Sequence, residues 1–506
     1  MNGTETNNLV FAGWILITVY AALILFFVVR GALKIKNISD YAVGNIKFSP
    51  ISVGLALAAS MTSAATFIIN PGFIALYGFS GVISYAIVLP LAAMISLIVL
   101  TKGFRKHGSS VKALTMAQWM ATKYKSNGFG LFFGFLSLLL ITFIVLIAVG
   151  LTKVLSKTLN VSEIYILIGI VVFIFGYMMF GGANSMVYTN TIQAVLMLIV
   201  AFILLGSGYE HFSDGIHGFI AKLNAIDPKL TQTTNDSSFL FRDYFEIIIA
   251  QIIIGVAIVC QPHIITKSLL LKTDKDVNKY LVTGVIVELI FFLVVITGLF
   301  ARLTFPDLTF GGEALKMDGI ISAYVVKEFP VYIGLIVVLG LISAGISTLE
   351  GLIQSISTTI TSDIIKPLFS SKFSVEDISN SKQTILLNKI VIVILAIVTI
   401  ILSYDQIVNP KLSVAIFAQN GVYAYFATAF LPILIGIFNQ PVSKKVVIAS
   451  SVTALVVHFA MYYGKLPVPF TEATGENPGV AASVAIIFSI AAAFIVHLIT
   501  KEKNYA

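Results

Sequence analysis

Cysteine and charge are nearly missing from this chain. Among its 506 residues Cys260 is the single cysteine, which rules out an intrachain disulfide and a cysteine-based metal cluster. Charged residues amount to 11%, where soluble domains carry roughly a quarter. That is too little polar surface to cover a globule of this length in water. A soluble enzyme, a secreted disulfide scaffold and a nucleic-acid binder are thereby excluded. Walker-type phosphate loops, HExxH helices and nucleophile elbows are absent too, which removes the chemistry of ATP-driven transport and of hydrolysis within the membrane. No enzymatic reaction and no organic cofactor are expected.

What fills the chain is apolar: 58% of residues are hydrophobic. Runs of about 18 residues or more, each long enough for a bilayer core of roughly 30 Å, recur throughout. They number about thirteen, near 9–30, 48–77, 80–101, 128–152, 164–181, 186–208, 244–265, 280–301, 329–360, 385–403, 412–438, 446–463 and 480–499. The first has no basic residue before it and no small-residue cleavage site, so it reads as a retained helix. With the N-terminus outside, 22 of the 32 lysines and arginines fall on the inner side, Lys267, Lys372 and Lys503 among them. Acidic residues cluster on the other side, at 209–246 and 303–328. The expectation is a multi-pass protein of the cell membrane, N-terminus outside and C-terminus cytoplasmic. Its net charge of +8 is then a signature of topology and not of nucleic-acid binding.

Two apolar segments are overlong and interrupted. One is "GLALAASMTSAATFIINPG", 54–72, and the other "QIIIGVAIVCQPH", 251–263. Five crossings separate them, so they traverse the bilayer in opposite directions. Two five-helix units, each opening on a broken helix and inverted relative to one another, are the pattern of the LeuT-type architecture. The expected organisation is an extra helix and loop at 1–47, a first repeat at 48–208 and an outside loop at 209–243. A second repeat follows at 244–438, then two further helices at 439–506. The outside stretch 303–328 is expected to hold a short surface helix.

Polar groups halfway through a bilayer need a reason to be there. On the ninth span Ser343, Ser347, Glu350 and Gln354 are spaced by four, three and four, one stripe down a helix, with Thr348 beside it. Serines alone would allow close packing of helices. Packing never needs a carboxylate. If the first interrupted helix unwinds around Met61, the carbonyls of Ala59 and Thr62 lose their intrahelical partners. Together with hydroxyls from a facing helix they would make a neutral oxygen cage, suited to a hard monovalent ion.

"AASMTSAATFIINPGFIALYG", "FGGANSMVYTNTIQAVLML", "CQPHIITKSLLLKTDKDV" and "LISAGISTLEGLIQSISTTITSDIIKP" resemble, in order, the motifs of the sodium:solute symporter family. The likeness runs from about 40 to 440 and is nearest to the proline and pantothenate permease branches. It implies sodium-driven import of a small organic solute by alternating access. By position it implies a sodium site from the carbonyls of Ala59, Thr62 and Ala344 and the hydroxyls of Ser347 and Thr348. Substrate-facing positions would be Ala65, Thr66, Ile254, Ile258 and Gln419. Ala65-Thr66 stands where sugar-transporting members carry a polar pair, which argues against a sugar. Many members have an acidic residue where this chain has Asn190, and this chain has Glu350 where they have a serine. The carboxylate has moved between helices, either to bind a second cation or to carry a proton; otherwise Glu350 simply hydrogen-bonds Asn190.

Glu288 is the other mid-span carboxylate, and a proton-coupled symporter of the same fold would use it or Glu350. His458 and His497 read as packed or interfacial. A solute sensor or channel is a further, weaker alternative. The expected partners are sodium, a small organic solute and lipid. No basic residue is expected deep in the membrane, so a substrate carboxylate would be met by helix-end dipoles or by the sodium ion.

Overall fold

In lipid a backbone N–H or C=O without a partner is costly, and the apolar runs satisfy theirs internally by forming helices. The structure, a computed structural model, describes residues 3–110, 112–271, 273–368, 382–409, 414–438 and 442–502. Lys372 and Lys503, used above to orient the chain, lie outside the described residues. Among those described, the one sheet is a short hairpin, Thr309–Phe310 against Glu313–Ala314.

Ten described helices are long and apolar enough to cross a bilayer, or twelve if each of two bent pairs counts as one crossing. The expected thirteen is not reached, and the difference lies at Glu163–Gly206, a run of 44 residues spanning two expected segments. A straight rod of that length would extend about 66 Å, roughly twice the hydrocarbon core. The rod is in fact broken at Gly182, whose φ of 53° and ψ of −162° are not helical. A side chain there would be strained, and its Cβ would stand 2.9 Å from the carbonyl oxygen of Tyr41. Tyr41, on the short helix Ile38–Val43, donates from its hydroxyl to Met178 O at 3.0 Å and wedges the break.

Both interrupted segments are bent. Pro50–Met61 meets Ala65–Tyr77 at 58°, and Phe245–Ile258 meets Pro262–Leu270 at 54°. Ser49 caps the first by accepting from Ser52 N, with Pro50 in the first turn where its missing N–H does no harm. In the second, Pro262 opens the new half-helix after Gln261, whose backbone is extended. The helix Val331–Thr359 lies against the first break, and nearly all of it from Leu339 onward is buried. The stretch expected as a surface helix does contain one, Ile320–Glu328, but five of its residues are buried, so it packs instead of lying free.

Candidate functional site

The helix Pro50–Met61 stops because Thr62 leaves the helical region, with φ −92° and ψ 109°. Thr66 N, which would have bonded Thr62 O in a continuous helix, bonds Ser63 O at 3.0 Å. The freed carbonyls face the helix Val331–Thr359. Ser347 Oγ donates to Ala59 O at 2.6 Å, and Thr348 Oγ1 lies 3.3 Å from Thr62 O. Ala344 O sits 3.0 Å from Ser347 Oγ and 3.2 Å from Thr348 Oγ1. Three carbonyls and two hydroxyls therefore converge, and all five residues are fully buried. Each hydroxyl aims its hydrogen at a carbonyl; rotating that hydrogen away would present a lone pair to a small cation between them. The donor set is oxygen only and carries no net charge, which fits an alkali ion better than a transition metal.

Beside this cage lies a polar cluster. Glu350 accepts from Tyr177 Oη and from Thr189 Oγ1, the latter at 2.6 Å. Its partners are thus Tyr177 and Thr189, and Asn190 instead donates to Ser60 Oγ at 2.9 Å, leaving its Oδ1 buried without a partner among the described residues. The rest of the stripe is held by separate neighbours: Ser343 donates to Tyr20 Oη, and Gln354 to Ala42 O. Glu288 is fully buried, accepts from Thr62 Oγ1 at 2.9 Å, and has no partner for Oε1 among the described residues. A mid-span carboxylate is legible in the sequence; that it is buried against the cage residue Thr62 is not.

The substrate-facing candidates are less gathered. Ala65 and Thr66 open the second half of the first broken helix, Thr66 buried and Ala65 half-buried. Ile258 is the last helical residue before the second break and is half-buried. Gln419 lies near Tyr85. Ile254 is buried, its Cδ1 2.8 Å from where a Cβ on Gly479 would stand, in the helix Pro478–Glu502. His458 is packed, with Nε2 3.0 Å from Asn420 O, and His497 is half-buried.

One expectation is overturned. Lys267 was counted among loop charges, but it is 2% exposed, and its Nζ has no hydrogen-bond partner among the described residues. It lies just past the second break, close enough to Glu350 for electrostatic attraction. A basic residue does stand deep in the protein. The sequence signal was available in "PHIITK", which continues the broken helix without a turn-forming residue before the lysine.

The profile of the Sodium:solute symporter family matches residues 41–453. The chain belongs to that family. Among curated relatives, a sodium/pantothenate symporter of Haemophilus influenzae is 27% identical over 81% of this chain and 81% of its own length. Another of the same name, from Escherichia coli, is 25% identical over 65% of this chain and 66% of its own. Among solved structures, a Na+-coupled sialic acid symporter in a substrate-bound outward-open state superposes with a TM-score of 0.76 at 17% identity, covering 94% of this chain and 96% of that one. At that identity the likeness concerns the fold, and it places this symporter in the LeuT-type architecture. As a sodium:solute symporter the protein is a membrane transporter and not an enzyme, and its coupling ion is sodium.

Proposed function

We infer that the protein imports a small organic carboxylate, of the kind named for its pantothenate-carrying relatives, driven by sodium entering through the cage of Ala59, Thr62, Ala344, Ser347 and Thr348. The observation that carries this is the contact of two hydroxyls with carbonyls freed at the break, Ser347 Oγ on Ala59 O at 2.6 Å and Thr348 Oγ1 on Thr62 O at 3.3 Å. A cation there clamps the broken helix to its neighbour Val331–Thr359, and its loss lets the two part. Solute and sodium then raise one another's affinity, as coupling requires. The repeats run over 48–208 and 244–438, the N-terminus is outside and the C-terminus cytoplasmic, and the membrane is the cell's own. Ala65, Thr66, Ile254, Ile258 and Gln419 border the solute. Glu350, with the free Oδ1 of Asn190, serves a second cation or carries a proton.

The test is uptake into proteoliposomes. An inward sodium gradient should accumulate labelled pantothenate or another small carboxylate above equilibrium, and potassium in its place should not. Equal uptake under a proton gradient in sodium-free buffer would favour the rival driving ion, for which fully buried Glu288 with its unpaired Oε1 is the carrier best placed.

A further inference from the structure

A narrow cavity opens beside the first break. Ala64, the last residue before the second half-helix, lines it together with the apolar Ile68, Leu146 and Val149. Its two charged lining residues, Lys153 and Asp318, face one another with Nζ 3.7 Å from Oδ2 and side chains 38% and 23% exposed. At that separation the pair attracts without a good hydrogen bond. The other carboxylate oxygen of Asp318, Oδ1, is enclosed and has no partner among the described residues. Each member is held loosely enough to be replaced.

The two charges belong to different parts of the fold. Lys153 sits on the helix Ile141–Leu159. Asp318 sits on the turn Met317–Gly319, which presses on the second half of the first broken helix: a Cβ on Gly72 would stand 2.5 Å from Met317 O. The pair thus ties that half-helix to its neighbour across the way to Ala64.

We propose that Lys153 is the entry anchor for the carboxylate of an anionic organic solute, and that Asp318 holds the place of that carboxylate until the solute arrives. The assignment rests on the reading above, that the protein is a sodium-driven importer oriented with this cavity outward. An incoming carboxylate bonds the ammonium at about 2.7–2.9 Å, closer than Asp318 does, and takes its partner away. The tie across the cavity is then released and the half-helix is free to move. The freed Asp318 accepts a hydrogen bond from a hydroxyl or amide N–H of the same solute, while a branched apolar part meets Ile68, Leu146 and Val149 only once that movement has widened the cavity, which at about 20 Å³ holds little more than a water and leaves all three buried. One carboxylate, a hydroxyl or amide donor and an apolar branch satisfy all three surfaces; a cation or a neutral polyol does not.

The experiment uses the full chain in proteoliposomes under a sodium gradient, with labelled pantothenate as solute and panthenol, its alcohol counterpart lacking the carboxylate, as competitor. Lys153→Met should raise the KM for pantothenate at least about tenfold. It should leave kcat and the sodium requirement near wild type, inhibition by panthenol unchanged, and Lys153→Arg should recover most of the loss. Asp318→Asn, which weakens the place-holder, should not raise KM. An unchanged KM in Lys153→Met overturns the assignment, and so does an equal loss for pantothenate and panthenol, which marks a general structural defect. If a panel of carboxylates fails while neutral solutes are imported with sodium, the anchor falls and sodium coupling stands. If no solute moves under a sodium gradient, both fall.

Discussion

Ser347 and Thr348 are consecutive, yet each reaches a different carbonyl of the same break, Ala59 O for the first and Thr62 O for the second. Because the cage is neutral, its affinity for a cation rests on the number of oxygens and their pre-organisation. Removing one hydroxyl removes about one ligand, of the order of 1–2 kcal/mol. Ser347→Ala and Thr348→Ala are each expected to raise the sodium concentration for half-maximal uptake about tenfold, with the amount of protein in the membrane unchanged. Unaltered sodium dependence in both would remove the cage. Glu350 calls for another measurement. If its carboxylate serves a second cation, Glu350→Gln should drop the sodium Hill coefficient toward one; matching single-ion curves in wild type and variant would deny a second sodium there. Lys267 and Glu350 are also opposite charges buried near each other. Lys267→Met leaves the carboxylate without a counter-charge, whereas pairing it with Glu350→Gln removes both charges. The double variant should regain about 2 kcal/mol of the stability lost by Lys267→Met, measured as thermal unfolding in detergent. Strict additivity would show that the two do not interact.

At the scale of elements, Gly182 decides how the run Glu163–Gly206 is used. Gly182→Ala places a Cβ in a positive-φ position and against the Tyr41 backbone at 2.9 Å, so it is expected to lose about 1–3 kcal/mol, read as a lower unfolding temperature. Gly176→Ala, in the same run with open space around it, is the control and should change little. The two broken helices were legible in the sequence because small and hydroxyl residues, Asn70-Pro71-Gly72 and Pro262 interrupt otherwise apolar runs. The fifth and sixth expected spans were separable for the same reason at Gly181-Gly182, but hydropathy could not say that the helix resumes with no loop between. Lys267 escaped because its burial depends on helices far away in sequence, Leu89–Ser110, Ile38–Val43 and Pro50–Met61 among them, and a local count of charges contains nothing about them.

For the whole molecule, the cage is also a clamp between the two halves of the architecture, since Ala59 and Thr62 stand near position 60 and Ser347 and Thr348 near position 350. A ligand that binds only when distant segments are in register stabilises the folded state by mass action. Sodium at 100 times its dissociation constant should add about 2.7 kcal/mol, and each further tenfold about 1.4 kcal/mol more. The unfolding temperature of the purified protein should therefore rise with the logarithm of sodium concentration, at fixed ionic strength, and potassium or choline should leave it where it was. Ser347→Ala should shift that line toward higher sodium without changing its slope, because the variant weakens the ion and leaves the fold it clamps intact. Salt acting through general screening would instead raise all cations together and move the variant in parallel with the wild type. A sodium-specific rise moved to higher sodium in Ser347→Ala and left in place in Lys153→Met would separate the ion's clamp from the solute's entry point within one molecule.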